Sequence, residues 1–344
     1  MCNIAGYVGS RDAAPILIDM IRAQEGLNGG FYTGIATMGE GKIRYGKVVG
    51  DLSELLRRTD AASLTGNIGI IHSRTPGKLG DEWAHPFVCE RGGEILSAQV
   101  YNGSLGIFKD LNPKRAELAE RLLSDGFKMN SHVPSGDVKN LILNDGSRVH
   151  VSDLMCQLVS KNFLDGDRAD LAMEKGFCEI PAEIVGLSIF AGVEDSIVFA
   201  RINMPMFVAF CDHGAYLASS PTAFPADAKD PILLPALSSG FVKRDSFSAS
   251  PFENDPASVA PITARVIGEG YAAIREALRT GKHTVPELAK LVKPMFDGAD
   301  CIQASSVIYA SICELKKQGL LKIERGEIPG VLAGLKAPVD YLYI

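Results

Sequence analysis

The second residue of the chain is a cysteine, and an apolar run follows it at once, Asn3-Ile4-Ala5-Gly6-Tyr7-Val8-Gly9. That run reads as a strand beginning almost at the N-terminus. Methionine before a small residue is a good substrate for removal, and its loss would leave Cys2 with both a thiol and a free α-amine. A cysteine thiol titrates near ~8.5 and an α-amine near ~7.7–8.0. The amine is therefore matched to take the thiol proton, so that nucleophile and base reside on one residue.

The 344 residues suit two domains. Hydrophobic residues make up 46% and charged residues 22%, an ordinary balance for a globular protein. A net charge of −6 gives no global attraction to nucleic acid or to an anionic membrane. No apolar run reaches the ~18 residues of a membrane span, and the N-terminus lacks the basic start and apolar core of a signal peptide. Seven scattered cysteines without a CxxC pair argue against a disulfide framework and for a reduced, cytoplasmic setting. The histidines do not cluster with cysteines at zinc spacing, so no metal site and no cofactor are expected.

Up to residue 245, short β-like runs alternate with amphipathic helices. Helices are expected over 13–23 and 113–126, a hairpin over 34–48, strands over 67–73 and 95–101, a second hairpin over 140–151, and further β-like runs between 186 and 219. Residues 246–262, rich in Ser, Pro and Ala, read as a linker. Over 263–344 three helices precede two short strands, a winged-helix-like order. Thr284 and Glu287 stand at capping-box spacing before the second helix. From 246 onward Lys+Arg and Asp+Glu each number 11, so the basic face of a DNA-reading domain is not expected; packing or homo-oligomer formation fits better.

Four further segments carry chemistry. Ile71-His72-Ser73-Arg74-Thr75-Pro76 follows an apolar strand, and a guanidinium there offers two parallel donors to a carboxylate. Trp83-Ala84-His85-Pro86-Phe87 comes ten residues on. Val100-Tyr101-Asn102-Gly103 ends a strand with an amide and a glycine N–H, the donor types that acyl transfer aims at a developing oxyanion. Ser152-Asp153-Leu154 opens a helix, where a carboxylate is favoured in any case.

Together with Met-Cys-Asn-Ile-Ala-Gly-Tyr-Val-Gly, these segments resemble the class II glutamine amidotransferases, most closely the glutaminase half of glucosamine-6-phosphate synthase. The resemblance covers roughly residues 2–245. It implies an α+β fold, a four-layer αββα N-terminal-nucleophile sandwich over 1–245, followed by the 246–262 linker and a winged-helix-like domain over 263–344. It implies Cys2 as nucleophile, Asn102 and the Gly103 N–H as oxyanion donors, and Arg74 and Asp153 as anchors of the glutamine carboxylate and ammonium. Thr75 and His85 would complete the substrate pocket; Asp137 and Asp145 are rivals of Asp153. Three departures stand out. Asn3 replaces the usual glycine, Thr75-Pro76-Gly77 replaces Trp-Ala-Thr, and Asn28-Gly29-Gly30-Phe31-Tyr32-Thr33-Gly34 replaces a charged Arg-Gly-Tyr-Asp-Ser-Ala-Gly.

The implied reaction is hydrolysis of the L-glutamine side-chain amide through a cysteine thioester. With no synthase-like domain in the sequence, the ammonia acceptor is expected on a separate subunit. Two other readings remain at this stage. One is a catalytically weak glutamine sensor signalling through the winged-helix-like domain. The other is an N-terminal-cysteine hydrolase of the bile-salt or penicillin-acylase type, which would need an arginine better placed than Arg11.

Overall fold

The computed structural model describes residues 2–78, 80–104, 112–134, 141–254, 256, 262–296 and 303–344. Two antiparallel sheets dominate it. The first runs in the order β13 (Ile232–Leu233), β11 (Phe207–Cys211), β12 (Gly214–Ala218), β1 (Asn3–Gly9), β4 (Ile68–Arg74), β2 (Tyr32–Gly39), β3 (Lys42–Val49). The second runs β15 (Phe247–Pro251), β14 (Ser238–Lys243), β10 (Ser196–Arg201), β9 (Glu183–Phe190), β6 (Glu94–Ser104), β5 (Phe87–Arg91).

The strands are buried on both faces, which is why β1, β9, β10 and β12 read as near-continuous apolar runs. Alternate residues point to opposite faces. On β1, Ile4 and Val8 meet Val100, Val185, Leu187 and Ile197 of the facing sheet. Ala5 and Tyr7 point the other way, onto α1 (Ala13–Asn28) with Leu17, Met20 and Ile21. The outer face of the second sheet is covered by α3 (Asn112–Ser124), α4 (Val151–Leu164) and α5 (Ala169–Glu179). The layering is therefore helix, sheet, sheet, helix. A short helix, α2 (Leu52–Arg58), follows β3 and is capped by Asp51, whose side chain accepts from the Glu54 N–H.

The hairpin expected over 34–48 forms as β2–β3, turning at Glu40 and Gly41, both at positive φ. The 140–151 hairpin is much reduced. Only β7 (Leu141–Ile142) pairs with β8 (Arg148–Val149), because the chain already enters α4 at Val151. Part of the expected linker is also structured: Phe247–Pro251 adds the edge strand β15 to the second sheet. Its Ser-Ala-Ser-Pro sequence lacks an apolar period because an edge strand has little to bury.

Three helices follow, α6 (Ala264–Thr280), α7 (Val285–Val292) and α8 (Ala304–Lys317), and then the ladder of β16 (Lys322–Pro329) with β17 (Lys336–Tyr343). The capping box of Thr284 and Glu287 is formed. These elements share the core of the first sheet: Ile274, Leu278, Ile308 and Ile312 join the apolar cluster that holds Leu17 and Ile71. Along α8, Val307, Ile308, Tyr309, Ile312 and Leu315 are all buried. A helix buried on that scale has no face left to enter a DNA groove.

β17 lies against α1. The carboxylate of Asp340, fully buried, takes a bidentate pair from Arg325 at 2.7 and 3.0 Å. Gly26 is required beneath it, since an added Cβ would come within 2.4 Å of an Asp340 oxygen.

Candidate active site

Cys2 sits where β1 begins, at the rim between the two sheets. A cleft of about 300 Å³ opens there, lined by Cys2, Arg74, Thr75, His85, Gly103 and His150 among others. The register of the first sheet places Ile4 opposite His72, so the end of β4 delivers Arg74 and Thr75 beside Cys2. The second sheet delivers Asn102 and Gly103 from the end of β6. Two strand ends from two sheets thus meet at one thiol.

The Cys2 N–H donates to Asn102 Oδ1 at 2.9 Å, across the gap between the sheets. The Asn102 amide nitrogen is buried and, among the described residues, has no partner. An unmet buried donor costs roughly 1–3 kcal/mol, a penalty that a ligand oxygen would remove. Gly103 packs against β9 so closely that an added Cβ would stand 2.3 Å from the Glu183 carbonyl oxygen. The glycine is thus dictated by strand packing, and its backbone remains on the cleft wall.

Burial by itself would raise the Cys2 thiol. The His72 imidazole, the positive charge at the chain start and a Thr75 backbone N–H outweigh that and bring it down to about 6. His72 Nε2 lies 3.1 Å from the Tyr101 carbonyl and must donate to it; Nδ1 is buried with no formed hydrogen bond. The Thr75 hydroxyl stands 3.9 Å from Sγ. The thiolate is the reacting form, so any Cys2-dependent kcat/KM falls about tenfold per pH unit below about 6 and levels off above it. A pH–rate profile checks this.

His85 is stacked on His72 with ring centroids 4.0 Å apart and is edge-on to Phe87 and His150. Burial holds it well below the usual histidine range, so it stays neutral, and among the described residues neither ring nitrogen has a partner. The segment that carries it is pinned by Lys47, whose Nζ donates to the carbonyls of Ala84 at 2.9 Å and Pro86 at 3.3 Å. Arg74 donates to the Trp83 carbonyl at 3.1 Å and lies over the Tyr32 ring at 5.0 Å. Among the described residues it has no carboxylate partner.

Asp153 is placed differently from Arg74. It is fully buried in the first turn of α4 and does not line the cleft. One oxygen accepts from the Ser131 N–H at 2.7 Å and its hydroxyl at 2.8 Å; the other accepts from Gln157 at 3.1 Å. Asp145 is spent on Ser147 in its turn, with its carboxyl held below the usual range. Asp137 lies outside the described residues.

Sequence reasoning missed three neighbours of the site. His150 lines the cleft and caps α4 by accepting from the Ser152 N–H. His72, within the 71–76 run, acts on the Cys2 thiol. Tyr309 of α8 reaches Asn3 Oδ1 at 3.4 Å, one residue from the thiol, and no local pattern announces a contact across that sequence distance.

Comparison with known proteins bears on this arrangement. No family model matches the chain. It is 28% identical over 250 residues to a glutamine–fructose-6-phosphate aminotransferase (isomerizing) of Pyrococcus horikoshii, covering 72% of this chain and 37% of the relative. It is 29% identical over 265 residues to the enzyme of that name from Streptomyces coelicolor, covering 75% and 38%. The chain resembles the class II glutamine amidotransferases. The chain spans well under half the length of these relatives, which are enzymes. Among solved structures, the glutamine phosphoribosylpyrophosphate amidotransferase of B. subtilis superposes with a TM-score of 0.56 at 15% identity, over 74% of this chain and 50% of that one. That likeness establishes the shared fold.

Proposed function

We propose that the protein hydrolyses the side-chain amide of L-glutamine through a γ-glutamyl thioester on Cys2 and delivers ammonia to an acceptor on a separate subunit. One observation carries the reading most directly. The Asn102 amide nitrogen, buried and without a partner among the described residues, belongs to the side chain that accepts from the Cys2 N–H, and the Cys2 thiol, brought down to about 6, lines a cleft with Arg74.

Once Met1 is removed, the group donating to Asn102 Oδ1 is the Cys2 α-amine. It takes the thiol proton, and His72 supports the thiolate. Sulfur attacks the amide carbon, and the Asn102 Nδ2–H and Gly103 N–H stabilise the oxyanion. The proton passes to the departing nitrogen, ammonia leaves, and water resolves the thioester to glutamate. Arg74, already donating once to Trp83, turns its remaining N–H groups to the glutamine carboxylate. His85 supplies a neutral donor on the cleft wall, and Thr75 borders the sulfur.

The occupied carboxylate of Asp153 fits a positioning role, tying Ser131 to α4 and so setting the 150–152 edge of the cleft. The substrate ammonium is then met by a group other than Asp153. The placement of the acceptor elsewhere is supported by the packing of the apolar faces of α6, α7 and α8 into the core that covers the first sheet.

Replacing Arg74 by alanine tests substrate anchoring. Loss of a charged hydrogen-bond pair is worth roughly 1.5–3 kcal/mol. KM for glutamine is therefore expected to rise by ~10–100-fold, with a smaller change in kcat. An unchanged KM in steady-state glutamate release would remove Arg74 from the site.

A further inference from the structure

At the far end of β1 from Cys2, a second cluster of polar side chains has no part in the reaction above. Cys211 ends β11, Gly214 begins β12, and His213 lies in the tight turn between them. The loop after β12 folds back over this turn, held by the Lys229 N–H on the Phe210 carbonyl at 2.8 Å, and brings Asp227 to it. One donor atom from each of Cys211, His213 and Asp227 lies within 4.8 Å of the others. His213 Nε2 is 3.0 Å from Asp227 Oδ2, and Tyr216 Oη is 3.1 Å from that nitrogen and 3.0 Å from Asp227 Oδ1. The Tyr216 hydroxyl also meets the Cys211 sulfur, and burial raises it strongly. One sulfur, one nitrogen and two oxygens thus gather in one cluster, in which the Cys211 thiol donates to the Gly214 carbonyl at 3.3 Å.

We infer that Cys211, His213 and Asp227 form a binding site for a single transition-metal ion of the zinc type, with the Tyr216 oxygen or a water as fourth ligand. Thiolate, imidazole and carboxylate is a donor set that suits Zn²⁺. Around a tetrahedral zinc at ~2.0–2.3 Å, neighbouring ligand atoms stand about 3.3–3.8 Å apart. The 3.0 and 3.1 Å separations about His213 Nε2 need to open by a few tenths of an ångström, while the Cys211 sulfur, within 4.8 Å of both other ligand atoms, settles to the same spacing; half-exposed Asp227 is free to move by that much.

Tyr7 supplies the outer support. Its hydroxyl is 2.9 Å from His213 Nδ1 and donates to the His213 carbonyl at 3.0 Å. In the Nδ1–H tautomer the ring donates to Tyr7 and turns the Nε2 lone pair toward the site, the arrangement that outer-sphere partners impose on metal-bound histidine. Binding releases the Cys211 thiol proton to solvent. The spacing hid this site, because Asp227 comes 14 residues after His213. Its role would be structural, clasping the 225–230 loop to the β11–β12 turn.

The test is a cobalt titration of chelator-treated full-length protein carrying Cys2→Ala, which removes the thiol of the candidate active site. The expected result is one equivalent of Co²⁺ with a thiolate-to-metal charge-transfer band, displaced by zinc, and a zinc-dependent rise in Tm. Cys211→Ser abolishes the band; Asp227→Asn, a change at an exposed side chain, weakens binding about tenfold or more. No band and no shift in Tm at excess metal would overturn the proposal, leaving a Tyr–His–Asp hydrogen-bond network. A band that survives Cys211→Ser would overturn it too, by placing the metal elsewhere.

Discussion

Glutamate release from L-glutamine is expected to fall by at least ~10⁴-fold when Cys2 is replaced by alanine, with little change in Tm. The size follows from the role. A nucleophile that forms the covalent intermediate has no substitute, and the amine left at position 2 has no sulfur to activate. The small stability change follows from the surroundings. Cys2 is buried only at the cleft rim, and its backbone N–H, which alanine keeps, makes the hydrogen bond to Asn102. Serine at position 2 is a milder change that keeps a hydroxyl. Its alcohol proton is far less acidic than a thiol proton, so the α-amine removes it only in concert with attack, and that variant is expected to be much slower than the parent. Glutamine binding through Arg74 is expected to persist in both, which calorimetry on the two variants checks.

Replacing Asn102 by alanine is expected to lower kcat by ~10²–10³-fold, the usual loss for one oxyanion donor. The geometry makes a second contribution. Asn102 Oδ1 receives the Cys2 N–H, so the variant also frees the residue that carries the nucleophile. Asn102→Asp separates the two effects. A carboxylate keeps the acceptor for Cys2 but replaces the oxyanion donor with negative charge, so kcat falls while the position of Cys2 is kept. Comparable kcat in the aspartate variant and the parent would remove Asn102 Nδ2 from the oxyanion site.

Much of the candidate site was legible because its residues lie at strand ends, where an apolar run and a polar stop sit side by side in sequence. Cys2 precedes β1, Arg74 closes β4, and Asn102-Gly103 lies near the end of β6. Antiparallel pairing in the two sheets then gathers these ends at one cleft. Asp153 shows the limit of that reasoning. A carboxylate in a helix first turn looks the same in sequence whether it faces a ligand or a neighbouring loop, and here Ser131 takes it. The β15 edge strand escaped notice because edge strands bury little and need no apolar period.

The C-terminal elements were readable as three helices and a strand pair, but their docking was not. The contacts of Tyr309 with Asn3 and of Asp340 with the ground above Gly26 join residues some 300 positions apart, which no local pattern encodes. They also give a physical reading of the altered 28–34 segment. Phe31 and Tyr32 pack with Ala337 of β17 and with Val331 and Leu335 of the preceding turn. An added Cβ at Gly30 would come within 2.4 Å of Pro338. Small and apolar residues at 28–34 thus match a surface covered by the chain's own C-terminal ladder.

The most direct test of the central claim is glutamate release by two preparations that differ only at the N-terminus, one shown by mass spectrometry to begin at Cys2 and one retaining Met1. Turnover of L-glutamine is expected from the first and almost none from the second, in which position 2 carries an amide N–H and no free amine. Equal rates in the two preparations, or no release and no glutamine binding by the processed form, would contradict it.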